Sequence, residues 1–218
     1  MLSSAPLNAR SMLNATESLN KPLEKPFCAF LKATIADDQR HVRFLNMLSM
    51  LEHMGSRKIM LSQMKGVLTQ DILKHLAEEA RHAFFFKREA EKLSGESING
   101  YPENATLSAS AARFYFERLD AGLTANMLSK DQREMRYLWV SFVVELRAIW
   151  VYRFYQEALS EADHPMSLKG VIAEEDRHLI DMASRLDEIG FNAAELLSAA
   201  CALEKGLFEK LLGSLQQG

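Results

Sequence analysis

The residues best suited to chemistry lie in a repeated segment of six residues. The segment 77–82 reads AEEARH and the segment 173–178 reads AEEDRH, so five of the six positions are identical. In a helix, a Glu and a His three positions apart lie on the same side, one turn from each other, and can bind the same metal ion. Two such helices facing each other predict a site for two metal ions, with Glu79 and His82 on one helix and Glu175 and His178 on the other.

Two further carboxylates lie in apolar surroundings, which are unusual for Glu. Glu52 lies within the segment 48–54, and Glu145 lies within the segment 143–146. In a helical hairpin, two groups at the same depth are equally far from the turn. The midpoint between Glu52 and Glu79 falls near residue 65, and that between Glu145 and Glu175 falls at residue 160, both in plausible connecting regions. The sequence therefore predicts four Glu and two His converging in the middle of a helical bundle, an oxygen-rich set that suits iron or manganese.

This order of residues resembles the ligand pattern of the ferritin-like di-iron carboxylate proteins. The resemblance covers the metal-binding bundle and implies two iron ions, with manganese or a mixed pair as alternatives. It also implies that Glu79 and Glu175 bridge the ions, that Glu52 and Glu145 are terminal ligands, and that each ion receives one imidazole. The residues that carry the resemblance are Glu52, Glu79, His82, Glu145, Glu175 and His178.

Within that superfamily, the Glu-Glu-x-Arg-His form is similar to the helices of bacterial multicomponent monooxygenases and acyl-carrier-protein desaturases. The resemblance implies that the acid before each ligand Glu and the Arg before each His orient the imidazoles and hold their tautomers. In this chain those residues are Glu78, Arg81, Glu174 and Arg177.

Other residues near the predicted ligands have less specific signals. His75 lies four residues before Glu79 and resembles an extra histidine of the arylamine N-oxygenases. In those enzymes the extra histidine lies on the later Glu-x-x-His helix. We therefore expect His75 to be a supporting or surface histidine, with metal ligation as the alternative. Tyr152 lies seven residues after Glu145 and is a redox candidate, with a core aromatic residue as the alternative. Gly55 and Ala148 would leave space beside the metals, although close helix packing explains small residues equally well.

The elements that position these residues are predicted to be helices throughout. Leu, Ala, Met, Glu, Lys and Arg recur at spacings of three and four, and no alternating pattern indicates a strand. Proline and glycine separate the helical stretches. Six helices are predicted, over residues 26 to about 60, 69–94, 106 to about 128, 131–160, 167–190 and 193–212. The predicted fold is an all-α, ferritin-like four-helix bundle with a crossover helix and an additional C-terminal helix, as a single domain over residues 26–218 that follows a loosely ordered segment, residues 1–25.

Composition and charge exclude several classes of protein. The 26 basic and 29 acidic residues give a net charge of -3, which argues against a nucleic-acid partner. The two cysteines do not form a Cys-x-x-Cys pair, which excludes a rubredoxin-type iron site and favours a reducing compartment. No apolar run reaches the roughly 20 residues of a membrane span, so we expect a cytoplasmic protein without a membrane partner.

The leading functional hypothesis is a di-iron oxygenase or oxidase that uses dioxygen to hydroxylate, N-oxygenate or desaturate a small organic substrate. No flavin or iron-sulfur motif is present, so an external electron donor is expected. The alternatives are a ferroxidase with iron storage, a non-catalytic helical scaffold held by metal, and a metal-free bundle in which Arg81, Arg147 and Arg177 neutralise the acids. The apolar face of the last helix favours a homodimer.

Overall fold

Seven α-helices make up the secondary structure of the part of the chain that the computed structural model describes, namely residues 9–63, 68–125, 127 and 133–218, and these residues form no strand. The helices are α1 (Ala9–Ile35), α2 (Asp38–Gln63), α3 (Gln70–Ser94), α4 (Ala109–Thr124), α5 (Arg133–Glu161), α6 (Lys169–Glu188) and α7 (Ala193–Gln217). The all-α prediction is confirmed. None of the helices among the described residues is long and apolar enough to cross a membrane.

The first predicted helix is two helices in the structure. The chain breaks at Ala36 and Asp37, where the Asp37 carboxylate accepts a hydrogen bond from the Arg40 backbone N–H and begins α2. Helix α1 starts at Ala9 and includes Pro22 and Pro26, so the segment predicted to be loosely ordered is helical from Ala9 onwards.

The apolar face of α1 explains why its prolines are tolerated. Each proline removes one backbone hydrogen bond from the helix interior. Residues at helical spacing compensate, because Leu13, Phe27 and Leu31 are buried in the common core, where α1 packs against α5 and α7. Packing of this face therefore outweighs the local signal of the prolines.

Helices α2 and α3 form one antiparallel hairpin, and α5 and α6 form another. Thr69, the predicted N-cap of α3, accepts a hydrogen bond from the Ile72 backbone N–H, and Gly95 ends that helix in the left-handed conformation. The turn predicted near Lys65 and Gly66 lies outside the described residues. The second hairpin turns between Glu161 and Lys169, as predicted.

Helix α4 lies between the two hairpins in the chain and packs against α7, while α7 also packs against α1 and α5. The apolar face of α7 is divided between two environments. Leu207 and Leu211 are buried in the core, whereas Leu196 and Leu203 are 43% and 36% exposed. The homodimer stays a prediction, and the exposed leucines of α7 are the feature that supports it.

Candidate metal centre

Four helices bring the predicted ligands to one level of the bundle. The Ser49 hydroxyl on α2 donates to the Ala83 carbonyl on α3 at 2.8 Å, which sets the depth of Glu52 against the 79–82 segment. In the other hairpin, Arg153 on α5 pairs with Asp176 on α6 at 3.0 Å, just beside Glu175. Because both hairpins are antiparallel, the middle turns of all four helices meet in the interior.

Two groups of donor atoms result, and each is compact enough to hold one ion. The first consists of Glu52, Glu79, His82 and Glu175, and the second consists of His75, Glu79, Glu145 and His178. Within each group one donor atom from every residue lies within 4.8 Å of the others. All six predicted ligands are therefore brought together, with His75 added to them.

In the first group, His82 Nδ1 lies 2.9 Å from Glu175 Oε1 and 4.0 Å from both Glu52 Oε2 and Glu79 Oε1. In a coordination sphere with ligands about 2.1 Å from the metal, neighbouring donor atoms at right angles are roughly 3 Å apart. The distances around His82 are of that size or somewhat longer, so these atoms are spaced as ligands of one metal ion would be.

The second group has two imidazoles. His75 Nε2 lies 3.3 Å from Glu79 Oε1 and 3.4 Å from Glu145 Oε1. His178 Nδ1 lies 3.6 Å and 3.8 Å from the same two oxygens. The sequence favoured a supporting or surface role for His75, but its imidazole is buried and directed at the donor group.

Two carboxylates lie between the groups. Glu79 belongs to both. Glu175 has one oxygen 2.9 Å from His82 Nδ1 and the other 2.9 Å from His178 Nδ1. Glu79 and Glu175 therefore lie between the two groups, and the bridging role that the family resemblance implies for them stays a prediction.

The buried polar atoms at the centre fit a bound cation better than a closed hydrogen-bond network. The seven residues are between 1% and 8% exposed. His75 Nε2, Glu79 Oε1 and His82 Nδ1 are buried without a hydrogen-bond partner, a costly arrangement unless a ligand pairs with them. All three atoms belong to the donor groups, so one metal ion in each group would satisfy them.

The arginines do not neutralise the four central carboxylates. Arg147 pairs with Glu204 at 2.5 Å, and Arg81 pairs with Glu174 at 2.6 Å. Arg177 approaches Glu174 at 3.8 Å. Within the described part of the chain, the positive groups beside the central carboxylates are imidazoles, which argues against the metal-free, ion-paired bundle.

Three of the central carboxyl groups, those of Glu52, Glu145 and Glu175, have strongly shifted pKa values. Burial, together with the neighbouring carboxylates, raises the pKa of Glu52 and that of Glu145 well above the ordinary range. Burial also acts to raise the pKa of Glu175, but the His178 and His82 imidazoles outweigh it and hold that pKa well below the ordinary range.

The imidazoles of His75 and His82 have raised pKa values. Burial acts to lower the pKa of His75 and of His82. Close carboxylates outweigh burial, so Glu79 helps to raise the pKa of His75 to about 9 and Glu175 helps to raise that of His82 to about 10. Without metal, protons on these rings therefore take the place of the cation.

The acids that precede the ligand glutamates, Glu78 and Glu174, each contact a histidine of the opposite helix. His82 Nε2 lies 2.7 Å from Glu174 on the opposite helix, and His178 Nε2 lies 2.8 Å from Glu78. An imidazole N–H that donates to a carboxylate leaves the other ring nitrogen free to bind metal, which here is Nδ1. The predicted orienting role of Glu78 and Glu174 matches this geometry.

The two arginines of the repeat differ in their contacts. Arg81 donates to Glu174 at 2.6 Å and lies 3.9 Å from Glu78, so it lies next to both acids. Arg177 is half exposed and donates to the Ala173 carbonyl of its own helix. Only Arg81 is therefore placed to fix both carboxylates.

Two tyrosines contact the donor groups. The Tyr152 hydroxyl donates to Glu52, so the redox candidate lies beside a predicted ligand. Tyr137 was not singled out in the sequence; its hydroxyl lies 2.6 Å from His75 Nδ1 and fixes the ring that directs Nε2 inward. Its spacing of eight residues before Glu145, on one face of the helix, was the available signal.

Three cavities contact the donor groups. The first has a volume of about 520 Å³ and contacts His75, Glu79 and Glu145. The second, of about 270 Å³, contacts His75 and His178. The third is a mainly apolar space of about 90 Å³ beside Glu52 and Tyr152. Gly55 lines the first and the third, and a Cβ atom at this position would lie 3.3 Å from Glu79 Oε2. The space predicted beside Gly55 is therefore present, and Ala148 lines the third cavity.

Comparisons with protein-family models, with curated proteins and with solved structures found no match. The interpretation of the site therefore depends on its donor atoms, their burial and the cavities beside them.

Proposed function

We propose that this protein is a di-iron oxidoreductase that activates dioxygen to oxidise a small organic substrate. The observation that carries the proposal is the pair of buried donor groups that share Glu79 and open onto a cavity. A ferritin-like bundle is the fold that such a centre implies, with α2, α3, α5 and α6 as its four helices and α4 as the crossover. Manganese or a mixed pair would fit the same donors, so iron is part of the proposal.

The side chains have distinct roles in holding the metals. Glu79 and Glu175 would lie between the two ions, and Glu52 and Glu145 would complete one position each. One position would be completed by His82 and the other by His178 and His75. The position with two histidines would therefore offer its ion one more nitrogen ligand than the other.

When bound, iron would supply the electron transfer to dioxygen that amino-acid side chains do not supply. The protein holds the carboxylates and imidazoles in place through Glu78, Glu174, Arg81 and Tyr137. Electrons come from an external donor in this proposal. The cavity next to Glu145 and His75 gives the substrate direct access to one metal position.

Metal analysis and oxygen uptake together test the proposal. We expect about two irons per chain in the purified protein, and loss of both in a Glu79→Ala and Glu175→Ala double variant, since these residues touch both positions. A double variant at the exposed residues Glu117 and Glu157, changed to Ala, is the matched control and should retain both irons.

Reduced, iron-loaded protein should consume oxygen without forming a mineral. Mineral formation in a large cage-like assembly would instead support ferroxidase and storage activity. Absence of metal, with the double variant as stable as the natural chain, would leave only the metal-free, ion-paired bundle.

A further inference from the structure

The side chains that line the cavity of about 520 Å³ become more deeply buried from its entrance to its inner end. Lys58 and Asp120 lie at the entrance, and each side chain is 35% exposed. Glu79 and Glu145, at the inner end, are 6% and 3% exposed. A ligand would therefore enter past Lys58 and Asp120 and end at the donor groups.

The charges at the entrance leave one cation without a partner. Lys58 pairs with Asp120 at 2.6 Å, and its ammonium group also lies 5.4 Å from the centre of the Phe116 ring. Arg136, which lines the same cavity, forms no ion pair with any residue that the structure describes. Lys58 and Asp120 neutralise each other, so among the described residues at the entrance the remaining charge is that of Arg136.

The walls between the entrance and the donor groups are apolar. Ile59, Phe116, Val140 and Val144 line this part of the cavity. Arg136 and Glu145 lie nine positions apart on α5, which corresponds to about 13 Å along the helix axis. The volume of about 520 Å³ exceeds several-fold that of a cavity that holds benzene, which is about 150 Å³.

We propose that the substrate is an amphipathic organic anion, whose carboxylate or phosphate group is held by Arg136 at the entrance. Its apolar body lies along Phe116, Val140 and Val144 and ends beside Gly55, next to the donor groups. This inference rests on the proposed oxidative function, because it assigns the substrate class of the same site.

The charge distribution disfavours a cationic substrate. A protonated amine at the entrance would face Arg136, and Asp120, an acid that lines the same cavity, already pairs with Lys58. At the inner end, Glu79 and Glu145 are metal ligands in our assignment, so the metal ions would neutralise their negative charge. A guanidinium that faces a cavity is well suited to bind two anionic oxygens together.

Calorimetric titration of iron-loaded protein, kept free of oxygen, tests this assignment without turnover. The probes are octanoate, octyl phosphate, octylamine and methyl octanoate, which share an apolar body and differ in the head group. We expect at least one of the two anions to bind about tenfold more tightly than the amine and the ester, as for a charge-assisted hydrogen bond. Preference for octanoate would identify a carboxylate, and preference for octyl phosphate a phosphate ester.

Arg136→Gln should weaken binding of the preferred anion about tenfold, whereas Arg118→Gln, an exposed arginine of α4 outside the cavity, should leave it unchanged. Equal affinity for all four probes, no binding of any probe, or no effect of Arg136→Gln would overturn the proposed substrate class. Oxygen uptake by the reduced protein is measured separately: selective anion binding without uptake would reject the oxidative function, and uptake without selectivity would reject only the substrate class.

Discussion

At the scale of single residues, the repeated Glu-Glu-x-Arg-His segment predicts the donor set because its chemistry depends on spacing along one helix. The structure brings Glu79, His82, Glu175 and His178 together as the spacing requires. The direction in which His75 points could not be predicted, since it depends on the rotation of α3 about its axis and on contact with Tyr137.

Removal of an acid that orients a ligand histidine should weaken metal binding. In Glu174→Ala, His82 Nε2 loses its carboxylate partner at 2.7 Å, and Arg81 loses its ion pair. We expect metal affinity to fall about 10–100-fold, as measured by competition with a chelator. Glu117→Ala, at an exposed position of α4, should not change the affinity; an equal loss in this control would show that the effect is not specific to the imidazole contact.

Gly55 offers a test of the space beside the metals. A methyl group there would lie 3.3 Å from Glu79 Oε2, so the carboxylate must shift by a few tenths of an ångström. Gly55→Ala should lower the rate of oxygen uptake, although alanine in a helix favours folding by about 1 kcal/mol. Gly206→Ala is the matched control, because a Cβ atom there meets no atom within 4 Å. Unchanged uptake in Gly55→Ala would show that the cavities are not used.

At the scale of helices, the sequence predicts the extent of α3 well and that of α1 poorly. Thr69 and Gly95 act through their own neighbours, so local signals determine both ends of α3. The length of α1 depends on burial of its apolar face against α5 and α7, which outweighs Pro22 and Pro26. The break at Asp37 was missed because Asp at the start of a helix and Asp within a helix look alike in sequence.

A buried ion pair connects α7 to the helix that carries Glu145. Arg147 and Glu204 are 4% and 3% exposed, and Tyr115 and Asn20 complete the network with hydrogen bonds at 2.7 Å and 2.8 Å. Arg147→Met should destabilise the protein by about 3–5 kcal/mol, because Glu204 would remain buried without its cation. The measurement is unfolding in urea.

The double variant Arg147→Met, Glu204→Leu removes both charges and should recover most of that loss. A double variant as unstable as the single one would show that packing, not the uncompensated charge, accounts for the effect. Iron content should be unchanged in the folded variants, because neither residue belongs to a donor group.

At the scale of the whole molecule, folding and metal binding are linked through the protons that the metal-free centre holds. The pKa values of about 9 for His75 and about 10 for His82 lie above the ordinary value of 6.5, so the folded chain binds protons that the unfolded chain releases. This stabilisation is complete below pH 6.5 and is lost as the pH rises through 9 and 10. The raised pKa values of Glu52 and Glu145 act with the same sign, and the depressed pKa of Glu175 acts only on the acid side.

We therefore expect the free energy of unfolding of the metal-free protein to fall by several kcal/mol between pH 6.5 and pH 10. In the iron-loaded protein the metal replaces these protons, so the decline should disappear. Urea unfolding at a series of pH values, with and without metal, measures both curves. His75→Gln with His82→Gln should flatten the metal-free curve, and His53→Gln, at an exposed position, should not. A metal-free protein whose stability is constant or rises across this range would contradict the protonated centre, and with it the view that the two donor groups are built around a cation.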